Sequence, residues 1–497
     1  MNEIAASYPP TEVGRHAASG AAAPICLLVP RVLRWHLDLL TRLARELPGA
    51  RPRLVAAGRA TTAGFVLRHR VPGLQPGDVE PERDAPPDGV AIDLTGAAVP
   101  AGAALQPLFD GRPGDAALLN ALLAGRNPHL QVRRSGEVVA QGSASLDAAN
   151  TLGEAFDAVI DRLGLLLARL QRVGPDDAVP AAAVEPALMP GARAVLRDSA
   201  RRFGTIAARG LFRLAFQPGH WRIGWRLVDG DVWSRGDLGG VPWNVLPSPP
   251  DAFYADPFVM THKGRQALFF EEFDRRRGKG HLAAIECGAQ GPEGPVMTVL
   301  DMPWHLSYPQ VFEHAGEAWM VPESIGARRV TLYRAVRFPD RWEREADLLT
   351  DIEANDPTLL FHEGRWWMFA TVGTGAGSGS DVLCIFVAPS LTGPWRAHRA
   401  NPVLLSGEAA RAAGVFLRRE GKLWRPVQEC GTRYGAALGL AEVTRLDEGG
   451  FAQVVRHAIP PGGPWPGRRL HTLNRDGRLE VIDGSARVPR IAFWGKP

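Results

Sequence analysis

The sequence predicts a multidomain chain in which a small α/β N-terminal domain precedes an all-β five-bladed β-propeller. Three observations carry that expectation. Helical periodicity runs through residues 25–172 and nearly disappears after Trp221. From there the chain breaks into short strands rich in Trp, Phe, Val and Leu, punctuated by Gly, Pro and Asp. Those strands form similar hairpins that recur at steps of 52, 48 and 58 residues, the signature of a repeat architecture.

The elements follow in order. Residues 1–24 are polar and rich in Ala and Pro, with no cationic start leading into an apolar run, and are expected to be disordered. In residues 25–172, "ICLLVP" is a short buried-strand pattern and "LRWHLDLLTRLAREL" has helical spacing. "GVAIDLTGA" is a strand that ends in a Gly turn, and "AANTLGEAFDAVIDRLGLLLARLQRV" is a long amphipathic helix. Residues 173–219 are a Pro/Ala-rich linker and a basic helix, "ARAVLRDSARRFGTIAARGLFRLAF". There Arg193, Arg197, Arg201, Arg202 and Arg209 lie among Leu and Phe, a pattern that fits a membrane-surface helix or a connector with a solvated cationic face. Residues 220–490 hold the propeller.

Composition narrows the function classes. With 57 basic and 53 acidic residues the net charge is only +4 in 497 residues, and the arginines are scattered, which argues against a nucleic-acid partner. The four cysteines, Cys26, Cys287, Cys384 and Cys430, show neither Cys-x-x-Cys pairing nor zinc-ligand spacing, so free thiols in a reducing compartment are expected. The apolar stretch from Ile25 to Leu33 is broken by Pro30 and Arg31, too short for export or spanning. A soluble cytoplasmic protein with no transmembrane segment, no cofactor and no required metal is the expectation.

The repeat supplies the candidate site. "YADPFV", "LSYPQVF", "NDPTLLF" and "RAAGVFL" each place a small or polar step before an apolar strand. Each is followed by a Gly turn ("HKGRQ", "HAGEA", "HEGRW", "REGKL") and a second strand ("ALFFEEF", "AWMVPES", "WWMFATV", "LWRPVQE"). A fifth hairpin, "LHTLNRDGRLEVIDG", pairs with "WRIGWRLVDG" to close the ring. Taking Asp256, Tyr308, Asp356 and Gly414 as equivalent, a constant offset of 15 leads to Glu271, Glu323, Thr371 and Glu429. Innermost propeller strands line a central channel, so these residues converge on one polar pocket, and acids that look misplaced in single strands are accounted for. The same offset selects Glu271 over its neighbour Glu272, because one residue of slip turns a side chain to the other face.

Paired carboxyls across a pocket are the apparatus of glycosidic-bond chemistry. Asp256 is expected as base or nucleophile, Asp356 as an orienting or pKa-setting group, and Glu323 or Glu429 as the acid. Glu271, Tyr308, His281, Arg411, Arg425 and His471 are expected to bind substrate, with Arg–carboxylate pairing an equal alternative for the two arginines. Trp304, Trp366, Trp367, Trp424 and Tyr434 offer rings for a sugar to stack on, although core packing accounts for most such residues.

"YADPFV", "FFEEF", "GKGH", "LSYPQVF", "MVPES", "NDPTLLFHEGRWWMFAT", "LTGPWRAH", "RAAGVFLRREGKLWRPVQECGTRYGAALGL" and "HTLN" together resemble the N-terminal propeller domain of glucosamine inositolphosphorylceramide transferases and their bacterial relatives. That domain is similar to the five-bladed propellers of furanosidase-type glycoside hydrolases, which carry acids at blade starts. The resemblance implies a carbohydrate-active scaffold and points to Asp256 and Asp356; Tyr308 departs from it, standing where an Asp-Pro is expected. The separate glycosyltransferase domain of the plant-type transferases has no room in this chain. Residues 25–172 look like a formyltransferase N-terminal domain through "ICLLVP", "AIDLTG" and the helix near 151–172, but without an Asn/His/Asp catalytic set.

These readings converge on an enzyme that transfers a glycosyl group to an acceptor or to water in bacterial glycan or glycolipid metabolism, with a nucleotide- or lipid-linked sugar as donor if transfer is the chemistry. The alternative is a non-catalytic glycan- or glycolipid-binding module of a polysaccharide assembly system, in which arginines neutralise the acids. A third class, formyl or acyl transfer, would need a pocket in the N-terminal domain. "GTGAGSGS" at 373–380 reads as a loop, since no helix follows it.

Overall fold

The computed structural model describes residues 25–29, 33–47, 53–56, 90–98, 104–176, 179–181, 185–217 and 219–489. The expectation for residues 1–24 lies outside them. Strands Ile25–Val29, Arg53–Ala56 and Val90–Asp93 form a parallel sheet with the first strand central. A five-stranded antiparallel sheet follows between Gln106 and Pro180. Helices α1 (Arg34–Glu46), α2 (Asp115–Leu123) and α3 (Leu152–Val173) pack with these sheets.

Helix α3 begins where its sequence says it should. Thr151 Oγ1 accepts the Glu154 N–H at 3.1 Å while Glu154 Oε2 accepts the Thr151 N–H at 3.2 Å, so two amides that the first turn leaves unpaired are satisfied reciprocally. Its apolar face buries Val159, Leu163, Leu166 and Leu167 against Leu39 and Leu43 of α1. The same core continues into Val372, Val382 and Cys384 of the C-terminal half. At that junction sits the glycine loop. Arg162 of α3 is fully buried, donates from Nε and Nη2 to the two carboxylate oxygens of Asp381 at 2.9 Å, and bonds the carbonyls of Thr374, Ala376 and Ser378. The "GTGAGSGS" segment is therefore a receptor for a helix arginine, which absorbs the carbonyls that an irregular loop would otherwise bury unpaired.

From His220 onward the chain is β. Five antiparallel sheets succeed one another: Ala252–Leu300, Ser307–Thr350, Ala354–Leu405, Leu417–Ile459, and a last one in which His220–Leu227 and Asn244–Val245 join Leu473–Asp476 and Leu479–Ala486. The fifth sheet thus unites the two ends of the β region. Four hairpins share one turn, in which both loop residues have positive φ: Lys263-Gly264, Ala315-Gly316, Glu363-Gly364 and Glu420-Gly421. This is the hairpin turn whose twist matches that of the flanking strands.

The first strands also share a kink. Register shifts fall between Ala255 and Phe258, between Ser307 and Gln310, and between Asn355 and Thr358. The residue inside each bulge is left-handed: Asp256 at φ 51°, Tyr308 at 45°, Asp356 at 46°. Holding a non-glycine residue there costs about 1 kcal/mol or more, and three repeats accept that cost at one position. The fourth hairpin places Gly414 at the corresponding point, with φ 139°. No helix among the described residues is long and apolar enough to cross a membrane.

Candidate functional site

The bulges bring the first strands of successive sheets together through side chains. The Tyr308 N–H donates to Asp256 Oδ2 at 3.2 Å, and the Asp356 N–H donates to Glu323 Oε2 at 2.9 Å. The Val415 N–H donates to Asn474 Oδ1 at 2.9 Å, and Asn474 Nδ2 returns to the Pro257 carbonyl at 2.8 Å. Tyr308 is fully buried, and its hydroxyl meets Thr358 Oγ1 at 3.1 Å and accepts the Gly414 N–H at 2.9 Å, so this side chain ties the second, third and fourth sheets at their shared centre. A phenol takes the place of the expected acid. Burial pushes its hydroxyl far above the usual phenol range, so it acts here as a neutral hydrogen-bonding group.

Around that centre the carboxylates fall into two groups. In the first, Arg411 Nε donates to Asp356 Oδ2 at 2.7 Å, its Nη2 to Oδ1 at 3.3 Å, and Gln428 Nε2 adds a bond to Oδ2 at 2.9 Å. Glu323 lies at 3.5 Å from the same guanidinium and accepts the Ser307 hydroxyl at 3.0 Å. Burial raises Asp356 to about 7 against the pull of Arg411, with Glu323 adding to the rise.

The second group has no arginine in its hydrogen bonds or ion pairs among the described residues. Asp256 Oδ1 accepts the Thr472 hydroxyl at 3.0 Å and lies 3.4 Å from His471 Nδ1. His471 Nδ1 is also bonded to Asp483 Oδ2, and its ring stacks on Trp221 with centroids 3.8 Å apart. Burial opposes charge on His471, yet Asp483 and Asp256 outweigh it and raise the imidazole. Asp256 stands at about 6: burial lifts it, His471 holds it down, and Asp356 and Asp483 push it up. Glu271, paired across the strands with Ala255, is buried with His305 Nε2 3.5 Å from Oε1. Burial and then the charge of Asp256 hold its carboxyl well above the ordinary glutamate range.

Asp256, His471 and Asp483 offer ligand atoms within 4.8 Å of one another, the spacing a metal ion would need. His471 Nδ1 lies between the two carboxylates, 3.4 Å from Asp256 Oδ1 and bonded to Asp483 Oδ2, and both carboxylates raise its imidazole.

Three expected residues fall elsewhere. Glu429 is half-buried and accepts the Gly431 N–H at 2.9 Å, apart from the cluster. The fourth hairpin pairs Ala412 with Val427, and the Gln428 N–H bonds the Arg411 carbonyl. Gln428 therefore faces Asp356 and Glu429 turns to the other side, the consequence of a one-residue slip. Arg425 donates to the carbonyls of Ala409, at 3.0 Å, and Ala410, and to Gln453 Oε1 at 3.4 Å, which makes it a backbone brace. His281 sits 3.6 Å from Glu272, on the opposite face from Glu271. Glu323 is in the cluster, with its two oxygens accepting the Ser307 hydroxyl and the Asp356 N–H.

Asp483, Thr472, Gln428 and His305 join the cluster without having been singled out. Counting from the turn glycine gives the signal for one of them: Glu271, Glu323, Thr371 and Gln428 each lie seven residues after Gly264, Gly316, Gly364 and Gly421. Of the aromatic candidates, Trp366 and Trp367 are core residues, whereas Tyr434 sits edge-on to His471 with centroids 5.3 Å apart and under the Arg411 guanidinium.

Known proteins resemble this half of the chain. The family model for the N-terminal region of glucosamine inositolphosphorylceramide transferase 1 matches residues 245–481. Glucosamine inositolphosphorylceramide transferase 1 of Oryza sativa subsp. japonica is 33% identical over 254 residues, covering 48% of this chain and 34% of the relative. The Arabidopsis thaliana protein of the same name is 33% identical over 209 residues, covering 41% and 27%. The chain thus spans about a third of the length of the curated relatives it matches. Among solved structures, the family 117 glycoside hydrolase Zg3597 of Zobellia galactanivorans is 11% identical with a TM-score of 0.35, over 53% of this chain and 90% of that one. The exo-β-1,3-galactanase 1,3Gal43A of Clostridium thermocellum is 10% identical with a TM-score of 0.34, over 55% and 64%.

Proposed function

We propose that this chain makes or breaks a glycosidic bond at the centre of a five-bladed propeller, with Glu271 as proton donor to the leaving oxygen and Asp256 as base or nucleophile. The observation that carries the reading is the pair itself: two buried carboxyls close enough for the charge of one to raise the other, with no arginine to neutralise either. Two raised carboxyls in one buried site are the arrangement glycosidic chemistry uses, one to give a proton and one to take it. Asp256 ionises above about 6. Its two oxygens retain lone pairs beyond those that Thr472 and Tyr308 fill, so an attacking hydroxyl or an anomeric carbon has an acceptor to meet. His471, itself held by Asp483, orients that carboxylate, and Glu271, raised by burial and by the charge of Asp256, gives its proton to the leaving oxygen.

Similarity to transferases named for a glucosamine and an inositolphosphorylceramide supports a sugar donor and a glycan or glycolipid acceptor, with water as the simpler alternative acceptor. On this reading residues 25–172 are a degenerate formyltransferase-like domain in a cytoplasmic protein, held to the propeller by Arg162. The second reading, a glycan-binding module, draws on Arg411, which neutralises Asp356 and Glu323 as a binder would require.

The test is a hydrolysis and transfer screen of the full chain on aryl pyranosides and furanosides, nucleotide sugars and lipid-linked glycans, beside Asp256→Asn and Glu271→Gln. Turnover that vanishes in both variants, with unfolding midpoints retained, is the expected outcome. Glycan binding without turnover, indifferent to both changes, would replace the enzyme with the module.

A further inference from the structure

Helix α4 (Ala192–Ala215) is amphipathic the wrong way round for a helix that belongs to this molecule alone. Leu196, Phe203, Ile206 and Leu214 follow one another at steps of 7, 3 and 8 residues, a single helical face, with Leu211 at its edge. A surface helix normally turns such a face to the core. Here those five side chains are between 63% and 74% exposed, and Asp198 is the one buried residue of the helix. What touches the protein is the polar side. Asp198 accepts Arg202 Nε at 2.7 Å and also pairs with Arg201, Arg201 reaches the Leu122 carbonyl at 3.5 Å, and Arg202 and Arg209 reach Asn150. The sequence had left open a solvated cationic face; the apolar face is the solvated one.

A helix of this length with Gly204 and Gly210 inside it gains little from propensity, and helices in proteins draw most of their stability from a packed apolar face. Another surface must take that face. Charge says which: Arg193, Arg197, Arg201, Arg202, Arg209 and Arg213 stand against the single carboxylate Asp198, and by helical spacing Arg193 and Arg213 flank the apolar strip on its two sides. A strip of Leu, Ile and Phe bordered by arginines fits the boundary between acyl chains and anionic headgroups, where apolar residues insert and cations remain at the phosphate level.

We propose that α4 docks this chain on an anionic lipid bilayer, with Leu196, Phe203, Ile206, Leu211 and Leu214 inserted and Arg193 and Arg213 on the headgroups. Arg209 lies close enough to Arg469 to join burial and Arg433 in lowering it, and Arg469 is in turn within reach of Tyr434 beside His471. The inference does not depend on the glycosidic reading, because vesicle binding and turnover are measured separately.

The test is flotation of the full chain with vesicles of phosphatidylcholine alone and of phosphatidylcholine mixed with phosphatidylserine, together with hydrogen exchange across residues 196–214. Wild type is expected to float with the mixed vesicles and to gain amide protection in α4 on doing so. The double variant Phe203→Asp, Ile206→Asp should remain in solution with its unfolding midpoint unchanged, since both positions are exposed. Arg193→Gln with Arg213→Gln should weaken partitioning into the mixed vesicles about tenfold, from the attraction of two cations to an anionic surface. No flotation of wild type, or equal flotation of the Asp variant, overturns the proposal. So does slow exchange of α4 without vesicles, which would mean that a second copy or another part of this chain already covers the face.

Discussion

Asp256 and Asp356 hold the same bulged position in the first and third hairpins, with the same left-handed backbone, but their company differs. Asp356 is gripped by Arg411 and Gln428, and the same guanidinium serves Glu323. Asp256 has hydroxyl, amide and imidazole partners and an uncompensated acid, Glu271, whose carboxyl it pushes up. The repeat fixes where a side chain points; the neighbouring sheet decides whether it braces the structure or stays available for chemistry. Burial raises both aspartates, Asp356 to about 7 and Asp256 to about 6; what separates them is the partner, a guanidinium held through two bonds for Asp356 and an imidazole for Asp256.

The largest effect should come from the available side. Asp256→Asn is expected to lower turnover about a thousandfold, within the range that a positioned base contributes, with no fall in the unfolding midpoint. On the gripped side the loss should be in stability instead. Arg411→Met leaves Asp356 and Glu323 buried without their cation and should cost about 3 kcal/mol in urea unfolding at pH 8. That cost should shrink as the pH falls through about 7 and Asp356 takes up a proton.

Glu271→Gln should reduce turnover about a hundredfold on substrates with poor leaving groups and much less on activated aryl glycosides, the mark of a lost proton donor. The pH dependence follows from Asp256. Its folded value of about 6 lies above its ordinary 3.8, so the folded state holds a proton that the unfolded chain has released. Its contribution to stability is full below 3.8 and declines as the pH rises to about 6, while activity climbs through the same value as the base ionises. Asp256→Asn should abolish that part of the decline. Smallest of all, Glu429→Gln should change stability by less than about 0.5 kcal/mol and leave turnover unchanged, since the residue faces away from both groups.

Much of this contrast can be read from the sequence, and the place where reading fails is instructive. The Gly turns and the Asp256, Tyr308, Asp356 series are legible because each needs a particular backbone shape, and a two-residue turn with positive φ leaves a fixed mark. Helix α3 is legible through its capping box and its apolar spacing. Register in the fourth hairpin is not, because Gly414 removes the side chain that defines the bulge, and an offset taken from it lands on Glu429 rather than Gln428. Arg411 and Arg425 look alike in sequence. Only the partners brought by other strands separate an ion pair with Asp356 from a brace on two carbonyls. The orientation of α4 is equally hidden, since periodicity reveals two faces without saying which one meets the protein.

Two aspartates at one repeat position divide the labour between chemistry and bracing, and turnover per folded molecule of Asp256→Asn against Asp356→Asn measures that division. The account predicts that Asp356→Asn unfolds at lower urea yet retains activity within about tenfold of wild type, while Asp256→Asn keeps its stability and loses about a thousandfold. Equal losses of turnover in two equally stable variants would contradict it, and would make the two carboxylates partners in one step.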